Sequence, residues 1–170
     1  MTDDDQPRRL TLLYQLYLAS SESRRFMRLA MEGTGMSGEE YGYYSYFYAN
    51  GARTLSQAAT DLGYPITTLA SLVAPAVESG DLVRRSHPTD RRARLLELSP
   101  AGRARIEAAI PAFRGAYRLL LERLEEADAD TEAIFESLAT LRAGIAGTVE
   151  LLASGAAEHQ PRQGLTRPAN

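Results

Sequence analysis

The sequence predicts a mainly α-helical fold broken by one small β-hairpin. Three observations carry that reading. Apolar residues recur at helical spacing along most of the chain, two capping boxes mark helix starts, and the period changes once, between Leu82 and Leu98. A length of 170 residues, with 44% hydrophobic and 24% charged residues, suits one ordinary globular domain.

Leu10, Leu13, Tyr14 and Tyr17 open a first helix that resumes at Phe26, Met27 and Met31 and ends at "EGTG". Ser37 and Glu40 form a capping box, with Met36 and Tyr41 placed as a hydrophobic staple across it. The helix they open carries "EEYGYYSYFYAN" and stops at Gly51. Thr54 and Gln57 form the second box and open "LSQAATDL", which stops before Gly63. Pro65 suits the first position of the next helix, "ITTLASLVAPAVES", which ends at Gly80. Two helices of such lengths, joined by a few residues including Gly, make a helix-turn-helix.

"DLVRRSH" and "RARLLEL", separated by "PTDR", read as two strands and their turn. Ser99 caps a helix with Pro100 at its first position. Ile106, Ile110, Phe113, Tyr117, Leu120 and Leu124 give that helix a coiled-coil-like seam, bent at Pro111. Asp130 caps a last helix with Ile134, Leu138, Leu141, Ile145 and Leu152 on one stripe. The two stripes exceed what one small winged helix can cover, so a homodimer is expected. Residues 1–9 and 154–170 read as a flexible start and tail, leaving a single domain over residues 10–153.

The chain is mildly acidic, with a formal net charge of −3, yet five arginines crowd the hairpin. Arg84, Arg85, Arg91, Arg92 and Arg94 are opposed there only by Asp90. A helix-turn-helix followed at once by a basic hairpin is a winged helix. One helix enters the major groove of double-stranded DNA while the hairpin straddles backbone and minor groove. Arginine suits both tasks, forking onto phosphate and entering a narrow minor groove. On the second helix Thr67, Thr68 and Ser71, with Ile66 for a thymine methyl, are the side chains positioned to read base edges.

"HPTDRRARLLELSPAGR" resembles the wing of the MarR family of bacterial regulators, whose usual pattern is D-P-x-D-R-R followed by L-T-x-x-G. The resemblance extends back through "LVAPAVESGDLVRR" and "LSQAATDLG" and forward into both C-terminal helices, about residues 10 to 153. It implies a winged helix over about residues 37–99, with dimerisation helices over about residues 10–31 and 100–153. It also implies a homodimeric repressor of a pseudo-palindromic operator, released by a small aromatic or phenolic ligand. Carried across, Arg91 or Arg92 is the wing-tip residue, Asp90 its orienting partner, and Ser56 and Gln57 join the DNA-contacting set. Three departures stand out. His87 occupies the place of the first wing aspartate, no basic residue lies between Thr54 and Val83, and Pro75 falls inside the recognition helix.

The second helix carries Tyr41, Tyr43, Tyr44, Tyr46 and Tyr48. Tyr41, Tyr44, Phe47 and Tyr48 share a face that suits the core. Tyr43, Tyr46 and Tyr48, joined by Tyr14 and Tyr17, either pack or line an aromatic-ligand pocket, with Arg24, Arg25 or Arg28 to meet an anion. Cysteine is absent, and the two histidines, His87 and His159, have no clustered partners, so no metal, cofactor or His-based acid–base site is expected. No apolar run approaches the ~18 residues of a membrane span, and the start lacks a signal-peptide core, which points to the cytoplasm. The rival to the regulator reading is a protein of the same fold with weakened or lost operator reading, serving as a ligand-binding or protein-interaction module.

Overall fold

A computed structural model describes residues 6–90 and 92–155. Arg91, His159 and most of the expected tail lie outside those residues. The chain divides into two compact units, Met1–Leu119 and Leu120–Asn170, and no described helix is long and apolar enough to cross a membrane.

The first unit opens with α1 (Gln6–Ala30), a turn earlier than the leucine stripe implies, because the polar residues before Leu10 continue the helix. Gly33 and Gly35, with φ of 78° and 73°, turn the chain back. Thr34 ties that loop by donating to the Met31 carbonyl at 2.7 Å. The start of α2 (Gly38–Asn50) then runs directly against α1. A Cβ at Gly38 would lie 2.7 Å from that of Met27, so only glycine allows this approach. The expected capping box is complete: Ser37 Oγ accepts from Glu40 N at 3.1 Å and Glu40 Oε2 from Ser37 N at 2.7 Å. Such a cap contributes about 1 kcal/mol.

Thr54 and Gln57 close the second box over α3 (Leu55–Leu62), which ends at the left-handed Gly63. α4 (Ile66–Glu78) starts one residue later than expected, with Pro65 at its N-cap and Pro75 inside it. The sheet has three strands in the order β1-β3-β2, where the sequence implied two. β2 (Leu82–Ser86) and β3 (Arg94–Leu98) form the hairpin, and β1 (Arg53–Thr54) adds an antiparallel edge to β3. Ser99 Oγ accepts from Gly102 N at 3.1 Å and caps α5 (Pro100–Glu126). Tyr44, Phe47, Met31, Leu69, Leu82 and Ile106 are the largest fully buried side chains, so α2, α4, the hairpin root and α5 share one core.

The second unit holds the end of α5 and α6 (Thr131–Ala153). Asp130 Oδ1 caps α6 by accepting from Ala133 N at 3.0 Å. α6 buries no residue, and Phe135 and Leu152 are 69% and 64% exposed.

Candidate nucleic-acid interface

The turn Gly63–Pro65 sets α4 behind α3 by local chemistry alone: left-handed Gly63 ends one helix and Pro65 pre-sets the next. Leu69, Val73 and Ala76 are buried, which turns Ile66, Thr67, Thr68 and Ser71 outward to solvent. Ser71 donates to the Thr67 carbonyl at 3.1 Å, leaving its own lone pairs free to accept. Ser56 and Gln57 are exposed at the start of α3, although Gln57 already accepts from Thr54 N at 2.9 Å in the capping box. The acidic groups nearby are partly engaged. Tyr46 donates to Asp61 Oδ2 at 2.6 Å, and Tyr44 to Asp81 Oδ2 at 2.6 Å.

On the hairpin, alternation sets Leu82, Arg84 and Ser86 on one face, with Arg94, Leu96 and Leu98 opposite them across the ladder. Leu82, Leu96 and Leu98 are buried at the root, while Arg84 and Arg94 project past the core into solvent. Arg85 lies on the other face and is ion-paired with Glu97. Among the described residues Arg84, Arg92 and Arg94 make no ion pair, so their charge is available to an external anion. Asp90 does not hold an arginine head group among these residues. Its Oδ1 accepts from the Arg92 backbone N at 2.9 Å, and its carbonyl accepts from Ala93 N at 3.1 Å.

His87 does more than an exposed turn residue would. Its Nδ1 accepts from Asp90 N at 3.1 Å and Thr89 N at 3.4 Å. An imidazole nitrogen thus fills the acceptor position that an aspartate occupies in an Asx-type turn. The sequence signal was the substitution within the D-P-x-D-R-R pattern.

The expected ligand residues separate. A cleft of about 1160 Å³ opens between the end of α1, the α1–α2 loop, the start of α2 and the helix-turn-helix turn. Arg24, Arg28 and Tyr43 line it together with Met27, Met31 and Tyr64. Tyr43 is 3% exposed, and its hydroxyl has no hydrogen-bond partner among the described residues. Burial first, then the Glu40 charge, push its pKa up to about 12, so the phenol remains a proton donor. Tyr46 and Tyr48 lie outside this cleft. Burial and the bond to Asp61 raise Tyr46 to about 12, and Tyr48 donates to Glu107 Oε1 at 3.1 Å with Arg103 over its ring at 4.8 Å. Tyr14 and Tyr17 stand exposed on α1, away from the cleft lining.

Solved structures share this architecture. The transcriptional repressor CouR, bound to a 23-mer DNA duplex, has a TM-score of 0.67 at 24% identity, covering 77% of this chain and 92% of its own. BldR from Sulfolobus solfataricus has a TM-score of 0.68 at 18% identity, covering 84% and 99%. S. aureus MepR in its DNA-binding conformation has a TM-score of 0.66 at 19% identity, covering 79% and 98%. The chain therefore shares the winged-helix fold of these proteins. No protein-family profile and no curated protein sequence matches it.

Proposed function

We propose that this winged-helix chain is a MarR-family transcriptional regulator, one domain over about residues 10–153, acting in the cytoplasm as a homodimeric repressor. The observation that carries the reading is the wing. It is a hairpin of solvent-facing Arg84, Arg92 and Arg94 set directly after a helix-turn-helix whose outward residues are small and polar. Phosphate contacts from the wing supply affinity, and Thr67, Thr68 and Ser71 read base edges with help from Ser56 and Gln57. Arg91 is included by resemblance. Pairing of two protomers is supported by the apolar side chains that α1, α5 and α6 leave in solvent, among them Leu13, Tyr17, Leu120, Phe135 and Leu152.

Release by a small aromatic or phenolic ligand is supported by the cleft. Tyr43 offers an unshared hydroxyl, and Arg24 and Arg28 offer charge to an anionic group. Among the described residues Arg24 is held by the Ser20 and Ser21 hydroxyls alone, at 3.5 and 3.1 Å. A fold this common among regulators, with no histidine in the cleft lining, does not favour catalysis.

The test is a mobility-shift assay with the duplex flanking the protein's own gene and a scrambled duplex, with and without single-ring phenolic acids. Preferential binding to the flanking duplex, weakened by one of the acids, is expected. Binding of phenolic acids with no affinity for either duplex would favour the second reading, a ligand-binding module. That alternative draws on the absence of any basic side chain between Thr54 and Val83.

A further inference from the structure

Arg105 lies on α5, and its guanidinium reaches four groups on three other segments. Nη1 donates to Asp81 Oδ2 at 2.9 Å and to the Tyr44 hydroxyl at 3.2 Å. Nη2 donates to the Gly35 carbonyl at 2.7 Å and to Glu40 Oε1 at 3.2 Å. The two nitrogens face different functional regions. Gly35 belongs to the loop that forms the lip of the cleft, and the other Glu40 oxygen holds the backbone of Ser37, which also lines the cleft. Asp81 is the residue immediately before β2.

The Asp81 backbone is fixed to both strands of the wing. Its carbonyl accepts from Ser99 N, one residue beyond β3, at 2.9 Å. Gly102 is packed so closely on that carbonyl that a Cβ there would sit 2.2 Å from the oxygen. A displacement of Asp81 therefore carries the root of the wing with it.

We propose that Arg105 is the residue through which occupancy of the cleft is communicated to the wing. The proposal rests on the ligand-responsive regulator reading given above. A guanidinium is a rigid planar fork, so it cannot follow a moving Gly35 carbonyl and keep its bonds to Asp81 and Tyr44 unchanged. A molecule that presses on the Gly33–Ser37 loop alters the Nη2 contacts, and the Nη1 side transmits the change to the wing root. Coupling of this kind needs a contiguous element biased from both ends, and the four contacts of Arg105 form one.

Gly42 allows a test that needs no identified ligand. It lines the cleft from α2, and a Cβ there meets nothing within 4 Å. Gly42→Trp inserts an indole into the cleft and improves helix propensity at that position. The chain has no tryptophan, so emission of the new indole reports whether it is shielded. Affinity for the duplex flanking the gene is measured by anisotropy for the native chain, Gly42→Trp, Arg105→Met and the double variant.

The expected result is a loss of at least tenfold on filling the cleft in the native background and less than threefold in the Arg105→Met background. Arg105→Lys, which keeps the charge without the fork, should fall between them. Equal losses in both backgrounds, or no loss in the native background with a shielded indole, would overturn the proposal. If Gly42→Trp does not fold or leaves its indole in water, Gly42→Leu, a smaller group on the same wall of the cleft, replaces it in the same cycle and the same criterion decides. A native chain that binds no duplex at low salt would sink the regulator reading itself, a failure distinct from additivity.

Discussion

The Tyr44 hydroxyl donates to Asp81 Oδ2 at 2.6 Å, joining α2 to the root of the wing across 37 residues of sequence. Burial alone would raise the Asp81 pKa. Hydrogen bonds from Tyr44 and Arg105, with the Arg105 charge, outweigh it and hold the carboxyl below its ordinary value of 3.8. The folded protein thus binds this proton less readily than the unfolded chain. Its stabilising effect is present in full above the unfolded value and is lost as pH falls through the lower folded one. Asp81→Asn should destabilise by about 1–3 kcal/mol at neutral pH, and the gap to the native protein should narrow as pH falls below about 3.8. Urea melts across that range test this, and a gap independent of pH would contradict it.

The wing turn depends on His87 accepting two backbone N–H groups. His87→Ala removes the acceptor and should weaken DNA binding severalfold with little change in thermal stability, since the turn is solvent-facing. His87→Asp, which returns an acceptor of the kind common in such turns, should restore binding close to native. Equal affinity for all three proteins would show that the turn needs no acceptor.

Affinity and specificity should separate by element. Thr68→Ala removes a candidate base-reading hydroxyl and should lower discrimination between the flanking duplex and random DNA more than it lowers non-specific binding. Arg84→Ala removes a phosphate-directed charge and should weaken both together. The reverse pattern would place base reading on the wing.

Much of this fold was legible because its signals are local. Both capping boxes, the Gly63–Pro65 turn and the hairpin are written within a few residues of where they act. The third strand was not legible, because Arg53–Thr54 pairs with Leu95–Leu96 more than forty residues onward and two residues carry no period. The tyrosine helix divides in the same way. Its spacing put Tyr41, Tyr44, Phe47 and Tyr48 on the core face, and the first three are buried while Tyr48 is only partly so; Tyr43 is buried as well because α1 and its loop cover that side. Arg105 gave no sequence signal at all, since its partners lie 24 to 70 residues away. The outward positions of α4 followed from the helical period. Which tyrosine faces the cleft depended on packing that no spacing encodes.

Dimerisation is expected from the apolar faces left on α1, α5 and α6, including Leu119 at 60% exposed and Val149 at 57%. Sedimentation at micromolar concentration should give a dimer. A chain truncated before Ala133 should aggregate or unfold as it loses a covering surface. A well-behaved monomer in either case would remove the basis for a two-fold operator.

The central claim is that the wing arginines bind phosphate for a protein whose net charge is −3. Counterion release gives a slope of about −0.9 in log affinity against log salt for each phosphate neutralised. With roughly three arginines per protomer in contact, duplicated in a dimer, titrating salt against affinity for the flanking duplex should give a slope of about −5. The Arg91→Ala, Arg92→Ala double variant should give a clearly shallower slope, nearer zero, while remaining a folded dimer. No binding at low salt, or an unchanged slope from the folded double variant, would contradict the account.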